Sequence, residues 1–172
     1  QMQADILEKF EVDNIYYPDD LFTCASRDSC DTRDQNYILA KLKEQNKTPT
    51  VVKPGTKITV GDMELYFIGP PKISTGLYSQ NLNSFMIILK YYDNTFMFTG
   101  DAGGSTLDTT YLKKYADQLG ISLDIDVLKY PHHGNATLSN TFLEKTNTFF
   151  NNRIGNNHPV CYIFSLYPSL YP

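Results

Sequence analysis

Two apolar stretches that end in metal-donor residues, about thirty residues apart, constrain this chain more than any other feature. Phe96-Met97-Phe98-Thr99-Gly100-Asp101 reads as a strand running into Gly-Asp, and Asp126-Val127-Leu128-Lys129-Tyr130-Pro131-His132-His133-Gly134 reads as a strand running into His-His-Gly. Between them Leu107, Tyr111, Leu112, Tyr115 and Leu119 recur at helical spacing, opened by a Ser105/Asp108 capping signal and closed by Gly120. A strand-helix-strand unit of this kind puts a carboxylate and imidazoles at neighbouring strand ends, where hard and borderline metals find oxygen and nitrogen ligands.

The segments before this unit supply hairpins. Thr50 to Lys53 is a short strand stopped by Pro54-Gly55. Lys57 to Val60 and Met63 to Ile68 flank Gly61-Asp62, a pair that suits a type II′ turn because glycine comes first. Ser84 to Tyr91 is almost continuously apolar, the pattern of a strand buried on both faces, and Asp93-Asn94 is expected to turn it into Thr95 to Phe98. The polar stretch from Lys72 to Leu82 has the length of a loop that lies over a site.

At the N-terminal end, Ile6, Leu7 and Phe10 have helical spacing and Val12 to Pro18 reads as a short strand. A helix follows through about Gln45, capped from Asp31 and Asp34, with Ile38, Leu39 and Leu42 on its inner stripe. After the His pair, Ser139 opens a helix carrying Phe142, Leu143, Phe149 and Phe150, and Val160 to Phe164 is the last strand. Hairpins followed by strand-helix-strand-helix predict an α/β (α+β) fold: a mixed sheet with helices packed outside it.

With 172 residues, residues 1–172 make one domain, large enough for a sizeable core at 41% hydrophobic residues. A formal net charge of -4 gives no general pull toward nucleic acid. No apolar run has the eighteen or so residues of a membrane helix. Without a leader-like N-terminus either, a cytoplasmic protein is expected, the alternative being a membrane-associated parent. Cys24, Cys30 and Cys161 are odd in number, the Cys24/Cys30 spacing matches no common zinc or redox pattern, and reduced thiols are expected, a Cys24–Cys30 bridge being the less favoured alternative even in an oxidising compartment. The thirteen tyrosines are scattered and imply no function.

Each donor has an ordinary reading when taken alone. Gly-Asp is commonly an Asp turn, adjacent histidines are commonly solvated, a strand lysine such as Lys129 is commonly solvated, and His158 among Asn156, Asn157 and Pro159 reads as a loop residue. On extended backbone His132 and His133 would face opposite ways, so one of them alone would share a site with Asp101.

Taken together, FMFTGD followed by DVLKYPHHGN, with NSFMIILKYYDN and VVKPGTKITVGDMELYFIGPP before them, resembles the second half of the metallo-β-lactamase fold, an αββα sandwich of metal-dependent hydrolases. The branch it is similar to is the hydrolase domain of bacterial competence proteins that import DNA, and their stand-alone soluble relatives. The likeness spans roughly Ala4 to Phe164. It implies two zinc ions, or manganese, in an intact member, polarising a phosphoryl or carbonyl oxygen and activating a water. It also implies Asp101 as the carboxylate shared by the ions, His132 as a terminal ligand with His133 beside it or the two exchanged, and Lys129 in contact with a phosphodiester of a nucleic acid or nucleotide.

The family's H-x-H-x-D-H or H-x-D-x-D-H run is missing, because no histidine precedes His132. The resemblance therefore implies either that the first half of the domain lies on residues outside this chain, which would be inactive alone, or that the chain is a degenerate, non-catalytic interaction domain. Both ends of the chain have the look of cuts in something longer, and truncation is the expected cause.

Overall fold

A computed structural model describes residues 2–18, 32–70, 79–103, 109–134, 138–146 and 161–163. Its main body is a six-stranded sheet in the order β3 (Thr56–Val60), β4 (Met63–Gly69), β5 (Met86–Tyr91), β6 (Asn94–Phe98), β7 (Val127–Lys129), β8 (Cys161–Ile163). The strands from β3 to β6 are antiparallel, and β6, β7 and β8 are parallel. That is the mixed α/β sheet expected from hairpins followed by strand-helix-strand.

The first hairpin turns as its sequence demands. Val60 pairs with Met63, and Gly61 takes φ 58° at the first corner. The second turns one residue earlier than expected: Tyr91 pairs with Asn94, so Tyr92-Asp93 forms the corner and Tyr92 takes φ 52°. The Tyr92 hydroxyl donates to Asp62 Oδ2 at 3.1 Å, tying the two hairpin tips together.

One face of the sheet carries the core. Tyr66, Ile68, Met86, Ile88, Met97 and Leu128 point to it and meet Leu112 and Ala116 of α4 (Thr109–Leu119) and Phe142 of α5 (Asn140–Lys145). Four residues separate Leu112 from Ala116, so both lie on one side of α4. Tyr111, expected inward, is exposed because its position on the helix is rotated away from that pair. Gly120 ends α4 as its sequence requires, with φ 66°, its N–H reaching the Asp117 carbonyl and the next N–H reaching Ala116. Ser139 caps α5 by accepting the Phe142 N–H at 3.1 Å. The Ser105/Asp108 cap, Leu107, Phe149, Phe150, Cys24 and Cys30 lie outside the described residues.

The opposite face is apolar too, but much less covered. The register aligns Ile58, Leu65, Leu89, Phe96 and Val127 across five strands, and all five are only half-buried. Val60, Met63, Tyr91 and Phe98 on that face are exposed. The continuous apolar run of β5 is thus buried through Met86 and Ile88 on one side and only partly through Ile87 and Leu89 on the other. Phe67 is the buried exception, packed against the rings of Tyr16 and Phe85 at 6.4 and 5.1 Å between centroids.

Tyr16 belongs to a second, small layer: β1 (Tyr16–Pro18) pairs in parallel with β2 (Thr50–Val52), beside α1 (Met2–Lys9) and α2 (Thr32–Glu44). The Gln45 side chain joins the two helix ends, donating to the Leu7 and Phe10 carbonyls and accepting the Val12 N–H. Leu42 is the buried contact of α2, whereas Leu39, expected beside it, is exposed. Far from the strand tips, Lys57 pairs with Glu64 and Tyr66 donates to the same carboxylate at 2.5 Å. The Lys57 ammonium, then the Tyr66 hydroxyl, hold Glu64 below the usual carboxylate range.

Candidate functional site

The parallel pairing of β6 with β7 levels the two strand ends. Phe96, Met97 and Phe98 stand opposite Val127, Leu128 and Lys129. At the start of the pair the Thr95 N–H and hydroxyl both donate to Asp126 Oδ2 at 2.8 Å. At its end the fully buried Thr99 hydroxyl donates to the Lys129 carbonyl at 2.9 Å. These bonds fix the register, so Gly100-Asp101 and the His pair emerge side by side.

Asp101 sits in a turn closed by the Ala102 N–H on the Thr99 carbonyl, 3.1 Å. Gly100 forms its first corner at φ 55°, and a β-carbon there would come within 2.6 Å of Ser84 Cβ. Glycine is required on both counts, backbone conformation and space. The Ser84 hydroxyl accepts the Asp101 N–H at 3.0 Å, so a side chain two residues before β5 orients the turn after β6.

The His pair departs from expectation. Rather than extended backbone, His132 has φ 50° and ψ 47° and His133 has φ 53° and ψ 25°, inside a tight left-handed turn between Pro131 and Gly134. The alternation of side chains argued from a strand does not apply to left-handed residues. The two rings lie 6.3 Å apart, tilted by 68°. His133 Nε2 is 3.4 Å from Asp101 Oδ1, both side chains about one-third exposed. His132 reaches the turn through its backbone instead, its N–H donating to the Gly100 carbonyl at 3.1 Å. Of the two assignments that the sequence left exchangeable, the geometry favours His133 as the partner of Asp101.

Two consecutive non-glycine residues in the left-handed region are strained, at about 1–2 kcal/mol each. His132→Gly is therefore expected to raise stability by about 1 kcal/mol, read as a higher denaturant midpoint. A lower midpoint would mean that the His132 ring contributes packing worth more than the strain. If His133 is the ligand, the same variant leaves zinc affinity unchanged.

Lys129, which the resemblance sets against a substrate phosphate, directs two of its ammonium donors at backbone carbonyls. It donates to the Gly100 carbonyl at 3.1 Å and to the Tyr130 carbonyl at 3.4 Å. Sequence reasoning gave no role to Ser84, Thr95 or Thr99, the hydroxyls that set the two loops. Their signal was weak, since a Ser or Thr at a strand end is common in any sheet. Among the described residues no group of three or more His, Cys, Asp or Glu side chains converges. None of the described helices is long and apolar enough to cross a membrane.

Comparison with models of known protein families gives no match, and none of the curated proteins compared matches the chain. The functional reading therefore rests on the residues and their geometry.

Proposed function

We propose that the intact protein is a metal-dependent hydrolase of the metallo-β-lactamase type, acting on phosphodiesters, and that this chain carries the second half of its metal centre. The observation that carries the reading is the 3.4 Å between Asp101 Oδ1 and His133 Nε2. Zinc bonds to oxygen and nitrogen are about 2.0–2.1 Å long, so adjacent donors on a tetrahedral ion stand about 3.3–3.4 Å apart. An anionic oxygen and an imidazole nitrogen suit zinc chemically as well as by spacing.

A second observation supports the sandwich. A sheet with helices on one face and a half-exposed apolar second face is what a two-sheet fold leaves when its other sheet is incomplete. The contact of Tyr16 with Phe67 places the small β1–β2 layer on that second face. The His-rich run that would complete the ligand set is not in this sequence, where no histidine precedes His132.

When bound, the ions supply Lewis-acid polarisation and water activation. The chain's own part is to hold them: Asp101 and His133 through their side chains, and His132 through its turn. Lys129, whose ammonium has three donors, keeps one beyond its two carbonyl contacts.

Equilibrium dialysis of this chain against zinc tests the reading. The expected result is one weakly held ion per chain, because two protein donors leave the coordination sphere largely to water. No binding would favour the alternative, a degenerate interaction domain without metal. Two tightly held ions would mean that the donor set is complete here and that the half-site reading is wrong. For the substrate, hydrolysis of a nucleotide phosphodiester by a longer chain that includes the His-rich run is the expected activity.

A further inference from the structure

We infer that Lys129 is a positioning residue: its ammonium ties the Asp101 turn to the His turn and so sets the separation of Asp101 and His133. The inference rests on the metal-site reading for its purpose, and on hydrogen bonds alone for its geometry.

The Gly100 carbonyl is the meeting point. It accepts the Lys129 ammonium at 3.1 Å and the His132 N–H at 3.1 Å, so two donors from the β7 side converge on the residue immediately before Asp101. The same ammonium reaches the Tyr130 carbonyl at 3.4 Å, inside the segment that leads to the histidines. One cation thus bridges two loops that belong to different strands, using charge-assisted bonds stronger than neutral ones. On the far side of the turn, the Ser84 hydroxyl holds the Asp101 N–H.

The register explains how a strand residue reaches this place. Lys129 stands opposite Phe98, at the last pair of the ladder, so its side chain projects past the strand end beside Gly100. Without the ammonium, two carbonyls beside the site lose a charged donor, and the Gly100 carbonyl keeps the His132 N–H.

Lys129→Met, which keeps length and removes the charge, tests this in metal-free protein by nuclear magnetic resonance. In the unaltered chain, Asp101→Asn is expected to move the His133 ring resonances, because the two groups are neighbours. In the Lys129→Met background that perturbation is expected to vanish, and exchange of the His132 amide to quicken about tenfold. Lys57→Met, a charge loss remote from the strand tips, is the control and is expected to change neither.

With zinc, Lys129→Met is expected to weaken binding about tenfold, as loss of an outer partner of a metal ligand does. An unchanged His133 perturbation and His132 exchange rate would overturn the positioning role. So would altered exchange with zinc affinity intact. If the unaltered chain binds no zinc, the metal reading fails, while the metal-free comparison still decides the clamp.

Discussion

Phe142→Ala is expected to destabilise the protein by about 3–5 kcal/mol, the range for removing a fully buried aromatic ring. The ring is completely shielded from solvent and belongs to the same core cluster as Leu128 and Met97 of the sheet and Leu112 of α4. It also lies one turn from the Ser139 cap, and its carbonyl accepts both the N–H and the hydroxyl of Thr146. The helix backbone is therefore anchored at both ends and has little freedom to collapse into the space left behind. Native domains are stable by about 5–15 kcal/mol in total, so the loss would be a large part of it. Urea unfolding of both proteins measures the change. A loss under about 1 kcal/mol would mean that α5 does not seat on the sheet as described.

The second large effect concerns the metal. Asp101→Asn and His133→Ala are each expected to abolish zinc binding by this chain, a loss beyond the 10- to 100-fold typical of an outer partner. Asp101 and His133 are the two donors that meet among the described residues, so removing either leaves a single ligand, which holds an ion no better than a surface side chain does. Asp101→Asn preserves shape and leaves the backbone N–H on Ser84, so stability is expected to change by less than about 0.5 kcal/mol. Titration calorimetry with zinc, alongside denaturation of the same samples, separates loss of the ligand from loss of the fold. Zinc affinity that survives both substitutions would place the donors elsewhere.

Much of this arrangement was legible in the residues. Gly61-Asp62, Gly120 and Ser139 act where their chemistry says they should, because turns and caps are decided locally. The strand-helix-strand order was enough to give a mixed sheet with Asp101 and the His pair at its edge. What was not legible depends on groups far apart in sequence. Nothing near Lys129 indicates that its ammonium will meet the Gly100 carbonyl, since that contact exists only after β6 and β7 pair.

The His turn is a different failure. Extended backbone would alternate the two rings, yet Pro131 and Gly134 bracket the histidines, and that punctuation is the sign of a turn. The half-exposed second face of the sheet was also hidden, because an apolar run such as Met86 to Leu89 says that both faces are apolar, not that both are covered.

The central claim is that Asp101 and His133 grip the same ion. Nitrogen-15 spectra of the histidine rings during zinc titration test it most directly. The expected result is a metal-induced shift at His133 Nε2 that disappears in Asp101→Asn, with the His132 ring unaffected. A shift at His132 in place of His133, or one at His133 that persists without the Asp101 carboxylate, would contradict it.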